Sequence, residues 1–346
     1  MNWDEFTCIS WNKRLRPVIA PGQAGSWDDY ASITPSIWPD KDGRYYILYT
    51  GLPTNSKDWG IGLAASDDLL NWQKIYDEPV IRIEGSGLAI LSIDGISQIY
   101  TDKYNFFFES KINSESNSKS NRIILPTWLK KHLVAAKMTI KDTRKISMAV
   151  EHAKGRKIWH FSSPVLDRID VSGSRIVFES AKIAWEAEGV FSPRVFDFDG
   201  TYYLIYGGSD GTHTRTGIAV GKNMTKWQRC DNNPVLVNGS NGQWDSLHAL
   251  IVDIIRIDDG YVAFYEGQNE YNRYSIGIAF SKDLYNWKKF ENNPIIEPGT
   301  KYSRDARMVC CPRSVIKDNN IYLFYTAHDR FMKGTCSLAI GSRISS

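Results

Sequence analysis

WEAEGVFSPRVFDFDGTYYLIYGG, Trp185 to Gly208, sets the pattern for the whole chain. An apolar stretch runs into Asp-Gly and returns as an aromatic-rich stretch. Asp-Gly suits the backbone of a tight turn, and β-branched and aromatic residues on both sides favour paired strands, so the segment reads as a β-hairpin. The arrangement recurs in TPSIWPDKDGRYYILYTG (Thr34 to Gly51), IVDIIRIDDGYVAFYEG (Ile251 to Gly267) and CPRSVIKDNNIYLFYTA (Cys311 to Ala327). Its loosest copy is GISQIYTDKYNFFFES, Gly95 to Ser110.

Each hairpin is followed by a second element: IGLAAS from Ile61, ISMAVE from Ile146, TGIAVG from Thr216, IGIAFS from Ile276 and CSLAIG from Cys336. Small residues alternate with branched ones, as expected of a strand packed on both faces. In three copies Trp72, Trp227 or Trp287 follows, and then Pro79, Pro234 or Pro294; Trp159 and Pro164 read as a shortened version in the second copy. The unit is therefore four strands. Equivalent hairpin positions Pro35, Ile96, Pro193, Val252 and Pro312 stand 61, 97, 59 and 60 residues apart. Four-stranded units repeated at that period predict the blades of a propeller.

The expected fold is all-β, one five-bladed β-propeller domain over residues 1–346. Its blades fall at about 26–82, 86–167, 175–238, 244–298 and 303–344 plus 5–20. The last repeat lacks an outer strand. WNKRLRPVIAPG, Trp11 to Gly22, matches WKKFENNPIIEPG, Trp287 to Gly299, so the N-terminal strand is expected to complete the last blade and close the ring. The long interval reflects an insertion at about 111–145 in blade two. It opens with polar INSESNSKSN and continues as PTWLKKHLVAAKMTIKDTRK, whose apolar spacing predicts a helix.

The chain has 346 residues and a net charge of +3, too small to point to nucleic acid. The N-terminus has no basic-then-apolar leader pattern, and no apolar run reaches membrane-spanning length. Five cysteines at irregular spacing, with no CxxC, predict neither a disulfide framework nor a zinc site. They suit a reducing compartment, so a cytoplasmic location is expected. No cofactor is predicted, no motif demands a metal, and a central divalent ion stays open as an alternative. Twelve Trp and 18 Tyr suit either a repeated core or a surface that meets sugar rings. Oligomeric state is not readable.

The repeats, and the stretches WEAEGVFSPRVFDFDGTYYLIYGG and NNPIIEPG above all, resemble a superfamily of five-bladed glycosidase propellers. It includes the arabinanase and xylosidase families, the invertase and levansucrase families, and the mannoside phosphorylases. The resemblance implies carboxylates around an axial funnel, one acting as base or nucleophile and one as proton donor to the leaving oxygen. Many relatives carry Asp directly before the inner-strand Pro. Here Thr34, Ser192 and Cys311 occupy those places, so catalytic roles do not transfer by position.

Groups that hold each blade should recur, whereas groups that act on an asymmetric substrate should not. An acid recurs before the inner strand in four blades: Asp28, Glu186, Asp245 and Asp305. That recurrence favours a structural role, with Asp245, and Trp27 beside Asp28, also considered as sugar contacts. Asp29, Asp94 and Glu188 do not recur. They are the catalytic candidates: Asp29 as base or nucleophile, Glu188 as proton donor, Asp94 as modulator or sugar-hydroxyl ligand. Glu109, Glu266 and His248 are further non-recurring substrate contacts. Arg304 and Arg307 are candidate ligands for substrate or phosphate, because guanidinium forks match phosphate oxygens. Arg194 and Arg313 follow prolines at repeated positions and are read as packing residues. The leading expectation is a glycoside hydrolase on a small carbohydrate. A phosphorylase or glycosyl-transfer enzyme, and a non-catalytic sugar-binding propeller, are the alternatives.

Overall fold

The structure is a computed structural model that describes residues 1–39, 43–55, 59–83, 94–96, 104–110, 154–163 and 174–343. A short helix, α1 (Trp3–Thr7), precedes β1 (Ile9–Lys13). Blade one holds β2 (Ala31–Pro39), β3 (Tyr45–Leu52), β4 (Trp59–Ser66) and two short outer pieces on β4, β5 (Gln73–Lys74) and β6 (Ile81–Ile83). Blade two holds β7 (Asp94–Ile96), β8 (Tyr104–Ser110), β9 (Lys157–Ser163) and β10 (Arg175–Phe178). Blade three holds β11 (Gly189–Phe198), β12 (Thr201–Ser209), β13 (Thr214–Asn223) and β14 (Lys226–Arg229). Blade four holds β15 (His248–Ile257), β16 (Gly260–Gln268), β17 (Tyr274–Ser281) and β18 (Lys288–Lys289). Blade five holds β19 (Met308–Lys317), β20 (Asn320–His328) and β21 (Gly334–Arg343).

Every pairing within a blade is antiparallel, as expected for strands joined by tight turns. The inner strands form the hub: β2 touches β7, β7 touches β11, β11 touches β15, β15 touches β19, and β19 returns to β2. The predicted five-bladed propeller is therefore the observed architecture. Its ring is closed as expected by β1, which pairs along β21 from Ile9↔Arg343 to Lys13↔Ala339.

Blade two departs from the sequence reading. Its third strand is β9, which carries Trp159 and pairs with β8 from Tyr104↔Ser163 to Ser110↔Lys157. The expected third strand, ISMAVE, falls outside the described residues. Trp159 is thus an inner-sheet residue and not the start of an outer strand; the outer strand is β10, so this blade reaches Phe178. Resemblance of ISMAVE to the small-residue repeats misled the reading, whereas Ile158, fully buried in β9, holds the packed position. The expected helix within 111–145 also lies outside the described residues. Among the described residues no helix is long and apolar enough to cross a membrane.

Aromatic side chains fix how each blade is built. Tyr49, Tyr206, Tyr265 and Tyr325 sit at equivalent places on second strands and are almost wholly buried. Gly51, Gly208 and Gly267 leave room for Trp27, Trp185 and Trp244, whose rings would stand 2.0–2.3 Å from any added Cβ. Hydrophobic clusters lie between neighbouring blades: Val262, Phe264 and Ile278 of blade four pack with Val309, Leu323 and Ala339 of blade five.

Candidate active site

The four recurrent acids form blade locks. Asp28 accepts the Tyr49 hydroxyl at 3.1 Å and the Lys74 ammonium at 2.5 Å. Glu186, fully buried, accepts Tyr206 at 2.9 Å and Arg229 at 2.7 Å. Asp245 accepts Tyr265 at 3.3 Å and Lys289 at 2.5 Å. Asp305 is held by Lys13 at 2.5 Å. Each base stands two residues after a Trp: WQK, WQR, WKK and, in the closing strand, WNK. Each lock therefore ties the entry loop to the outer strand of its own blade. The tyrosine between them is pushed well above its usual range, by burial first and by the neighbouring carboxylate second, and stays a hydroxyl donor.

Two of the expected sugar contacts take part in this geometry. Asp245 is 2% exposed and belongs to a lock. Trp27 stacks on Tyr49 with ring centroids 5.7 Å apart, covers Gly51 and Gly60, and donates its indole N–H to Asp77 O. Both residues hold blade one or blade four together; their placement is set by the repeat.

Strand direction gathers the other candidates on one face. Inner strands begin, second strands end and third strands begin on the same side, where parallel bridges Thr214↔His248 and Ala31↔Gly334 join neighbouring blades. Asp29 lies on the loop entering β2, Asp94 opens β7, Glu188 directly precedes β11 and His248 opens β15. Arg304 and Arg307 lie on the loop entering β19, while Glu109 and Glu266 lie near the ends of β8 and β16. All of these positions therefore lie toward one side of the ring.

Within this set the side chains differ in commitment. Asp29 accepts N–H bonds from Gly25 at 2.8 Å and Thr54 at 2.5 Å. Partial burial pushes its carboxyl up, but those two bonds outweigh it and hold the group below the usual carboxylate range. Glu188 is half-buried, and its carboxyl has no hydrogen bond or ion pair among the described residues. It lies against the turn at Gly211, whose φ of +91° favours glycine and where a Cβ would stand 3.2 Å from Glu188 Cγ. Arg304 and Arg307 are exposed, and neither guanidinium has an ion-pair partner among the described residues.

His248 and Glu266 form a buried pair. The His248 ring meets Glu266 Oε1 through Nε2 at 3.0 Å and the Thr214 hydroxyl through Nδ1. With a proton on Nε2 the ring donates to the carboxylate, which fixes its orientation against Glu266. Glu266 Oε2 accepts the Cys311 N–H from blade five at 2.7 Å. Burial pushes Glu266 up. The His248 hydrogen bond and charge, the Cys311 N–H and the Arg313 charge outweigh it and hold the carboxyl below its usual range.

The hub also contains groups that the sequence reading missed. Asp253, inside the apolar run IVDIIRI, pairs with Arg194 at 3.5 Å and accepts both the N–H and the hydroxyl of Ser314, at 2.6 and 2.7 Å. It bonds blades three, four and five into one wall. Arg313 donates to Val252 O and Pro312 O at 2.7 and 2.8 Å. Arg194 and Arg313 are both buried, in line with the packing role expected of them. An acid on an otherwise apolar inner strand was the available signal for Asp253, because a buried carboxylate needs partners. At the places where relatives carry Asp before Pro, Thr34, Ser192 and Cys311 have φ of +50°, +50° and +53°. There the left-handed residue turns its N–H across the blade junction, as Thr34 does to Thr326 Oγ1 at 2.8 Å.

Comparison with known proteins agrees with this architecture. A family model described as β-1,4-mannooligosaccharide phosphorylase matches residues 173–302. A 1,2-β-oligomannan phosphorylase from a Thermoanaerobacter species is 25% identical over 196 residues. That match covers 52% of this chain and 64% of the relative, just under two thirds of the relative's length. The structure of a β-1,2-mannobiose phosphorylase from Listeria innocua superposes with a TM-score of 0.62 at 12% identity, covering 95% of this chain and 96% of that one. The fold is that of the five-bladed glycosidase-type propellers. A further structure in this group superposes with a TM-score of 0.63 at 14% identity, covering 95% of this propeller and 93% of that chain. It comes from the GH130 family of mannoside phosphorylases, described as containing glycoside hydrolases that target β-1,2 mannosidic linkages in Candida mannan. The relatives named here are thus described as phosphorylases or hydrolases of mannosides.

Proposed function

We propose that the protein cleaves a β-mannosidic linkage in a small oligosaccharide and passes the mannosyl group to inorganic phosphate. One observation carries the reading: two exposed guanidiniums without ion-pair partners, Arg304 and Arg307, share a face with the uncommitted carboxyl of Glu188. A phosphate dianion needs such cations, and a glycosidic oxygen needs such an acid. In this scheme Glu188 protonates the leaving oxygen. A phosphate oxygen held by the arginines attacks the anomeric carbon, and that carbon's bond to the leaving oxygen breaks. Asp94 and Glu109 are assigned to sugar hydroxyls. His248 and Glu266 hold the wall on which the sugar rests. The match of residues 173–302 to a phosphorylase family supports the reading.

Hydrolysis is the second reading. Asp29 favours it, because a carboxyl held ionised by two backbone N–H groups can take a proton from water. We also propose a reducing, cytoplasmic location, supported by five cysteines that are all unpaired.

The test incubates the purified protein with β-1,2- and β-1,4-linked mannobiose, with and without inorganic phosphate. Mannose 1-phosphate formed only with phosphate supports phosphorolysis. Free mannose formed at equal rates in both conditions supports hydrolysis instead. No turnover of either disaccharide would remove both readings.

A further inference from the structure

In a regular strand adjacent side chains point to opposite faces. β19 breaks that rule at its vicinal cysteines. Cys311 has φ of +53°, and the register with β20 jumps between Cys310 and Arg313. The extra residue turns two neighbouring thiols toward the same neighbour, Glu266 of blade four. The Cys310 Sγ, the Cys311 Sγ and a Glu266 carboxylate oxygen all lie within 4.8 Å of one another.

Among the described residues the cluster occurs once. In blades one, three and four the aligned pairs are Ile33–Thr34, Phe191–Ser192 and Leu250–Ile251, and in blades one, three and five the places equivalent to Glu266 hold Thr50, Gly207 and Thr326. The bulge seen in blades one, three, four and five thus carries a soft-donor pair in one blade, beside that blade junction's buried carboxylate. Glu266 is held from two sides, by His248 and by the Cys311 N–H, so its oxygens are fixed before any ligand arrives. Cys310 packs with Met308, Tyr274, Cys311 and Met332, which keeps the surroundings apolar and rich in sulfur.

From this juxtaposition we propose that Cys310, Cys311 and Glu266 form a binding site for one thiophilic divalent cation of the zinc or cadmium class. Two thiolates and a carboxylate are the donor set such ions select over magnesium or calcium. Zinc–sulfur bonds of about 2.3 Å and zinc–oxygen bonds of about 2.1 Å in a tetrahedron place the donors roughly 3.6–3.8 Å apart. The observed cluster therefore closes on an ion by side-chain movements of about 1 Å or less. Binding converts two thiols to thiolates and releases two protons, which makes affinity rise with pH. The net charge of the filled site is −1, and buried Arg313 lies close enough for its charge to be felt at Glu266. Three protein ligands leave a fourth position for water or another small oxygen ligand.

Cadmium is the probe, because its thiolate complexes absorb in the ultraviolet. The full-length protein, reduced, freed of metal with a chelator and desalted without oxygen, is titrated with cadmium chloride and, in parallel, dialysed against zinc for metal analysis. The expected result is saturation at one equivalent, with the charge-transfer band absent in Cys310→Val and Cys311→Ser and the affinity at least tenfold weaker in Glu266→Gln. Cys311→Ser copies the residue that blade three places at the same backbone conformation, and Cys310→Val copies an apolar neighbour. Circular dichroism and a urea melt check that each variant is folded. Cys8→Ser and Cys230→Ser should bind as the parent does. A band that survives in folded Cys310→Val or Cys311→Ser, no band in the parent, or a parent that binds nothing because mass spectrometry finds a Cys310–Cys311 disulfide under these reducing conditions would each overturn the proposal.

Discussion

Lys13 of the first strand donates to Asp305 of the last blade across 292 residues of sequence. It fills the place that Lys74, Arg229 and Lys289 fill within their own chain-continuous blades. Ring closure is therefore a specific side-chain lock as well as a strand pairing. Lys13→Met should lower stability by about 1–2 kcal/mol, less than a fully buried ion pair loses because Lys13 keeps contact with water. A urea melt reads this directly. Removing residues 1–13 uncovers the edge of β21 and should produce concentration-dependent aggregates on gel filtration that the full chain does not form. An unchanged elution profile would count against closure by β1.

The glycines beneath the lock tryptophans should tolerate no side chain. At Gly267 a Cβ would stand 2.3 Å from the Trp244 ring and 2.5 Å from Asp245 Cβ. Gly267→Ala is expected to cost about 1–3 kcal/mol through overpacking. It should also shift the tryptophan emission, because Trp244 has to move. Thermal unfolding followed by fluorescence measures both effects at once.

Acid should weaken the fold in two stages. His160 is pushed down to about 4, by burial first and by Arg175 second. Its folded value lies below the unfolded one, so from about pH 6.5 to pH 4 the unfolded chain binds a proton that the native protein refuses. Stability falls across that window, by up to about 3 kcal/mol, and His160→Gln should flatten it. A second decline follows from pH 4 to 2. Asp283 and Asp210 are each held at about 2 despite some burial, by hydrogen bonds from Asn286, Tyr285 and Ser281 and from Thr212, Arg215 and His213. Depressed carboxylates stabilise the native state above their unfolded pKa and lose that contribution as the pH falls through the folded one. Urea midpoints measured at intervals from pH 7 to pH 2 separate the stages.

Glu188→Gln should lower kcat by about 100-fold or more while leaving the urea midpoint unchanged, since the carboxyl carries no hydrogen bond or ion pair among the described residues. Arg307→Ala should raise the KM for phosphate about tenfold, the loss of one charge-assisted contact, with a smaller change in the KM for the sugar. Steady-state assays varying each substrate in turn check both. A Glu188→Gln enzyme that turns over at the parent's rate would leave the proton-donor role to another group.

By itself the sequence determined the ring. Hairpin turns, small-residue third strands and a Trp with a base two residues on are local patterns, and each blade restates them. That is why even the matching of Trp11–Gly22 to Trp287–Gly299 was legible, and why Lys13 lands on Asp305. Blade two was misread where its repeat is weakest, with ISMAVE taken for the strand that KIWHFSS provides. The tertiary structure alone decided which acids are committed. Asp245 and Glu188 are both entry-loop carboxylates in one dimension; one is held by Lys289 and Tyr265, and the other has no hydrogen bond or ion pair among the described residues. It alone also placed Asp253 against Arg194 and Ser314, and Glu266 against Cys310 and Cys311. Those contacts cross from blade to blade between strands that never pair in sequence order. Their cause is the packing of separate repeats around a common axis, which no single repeat encodes.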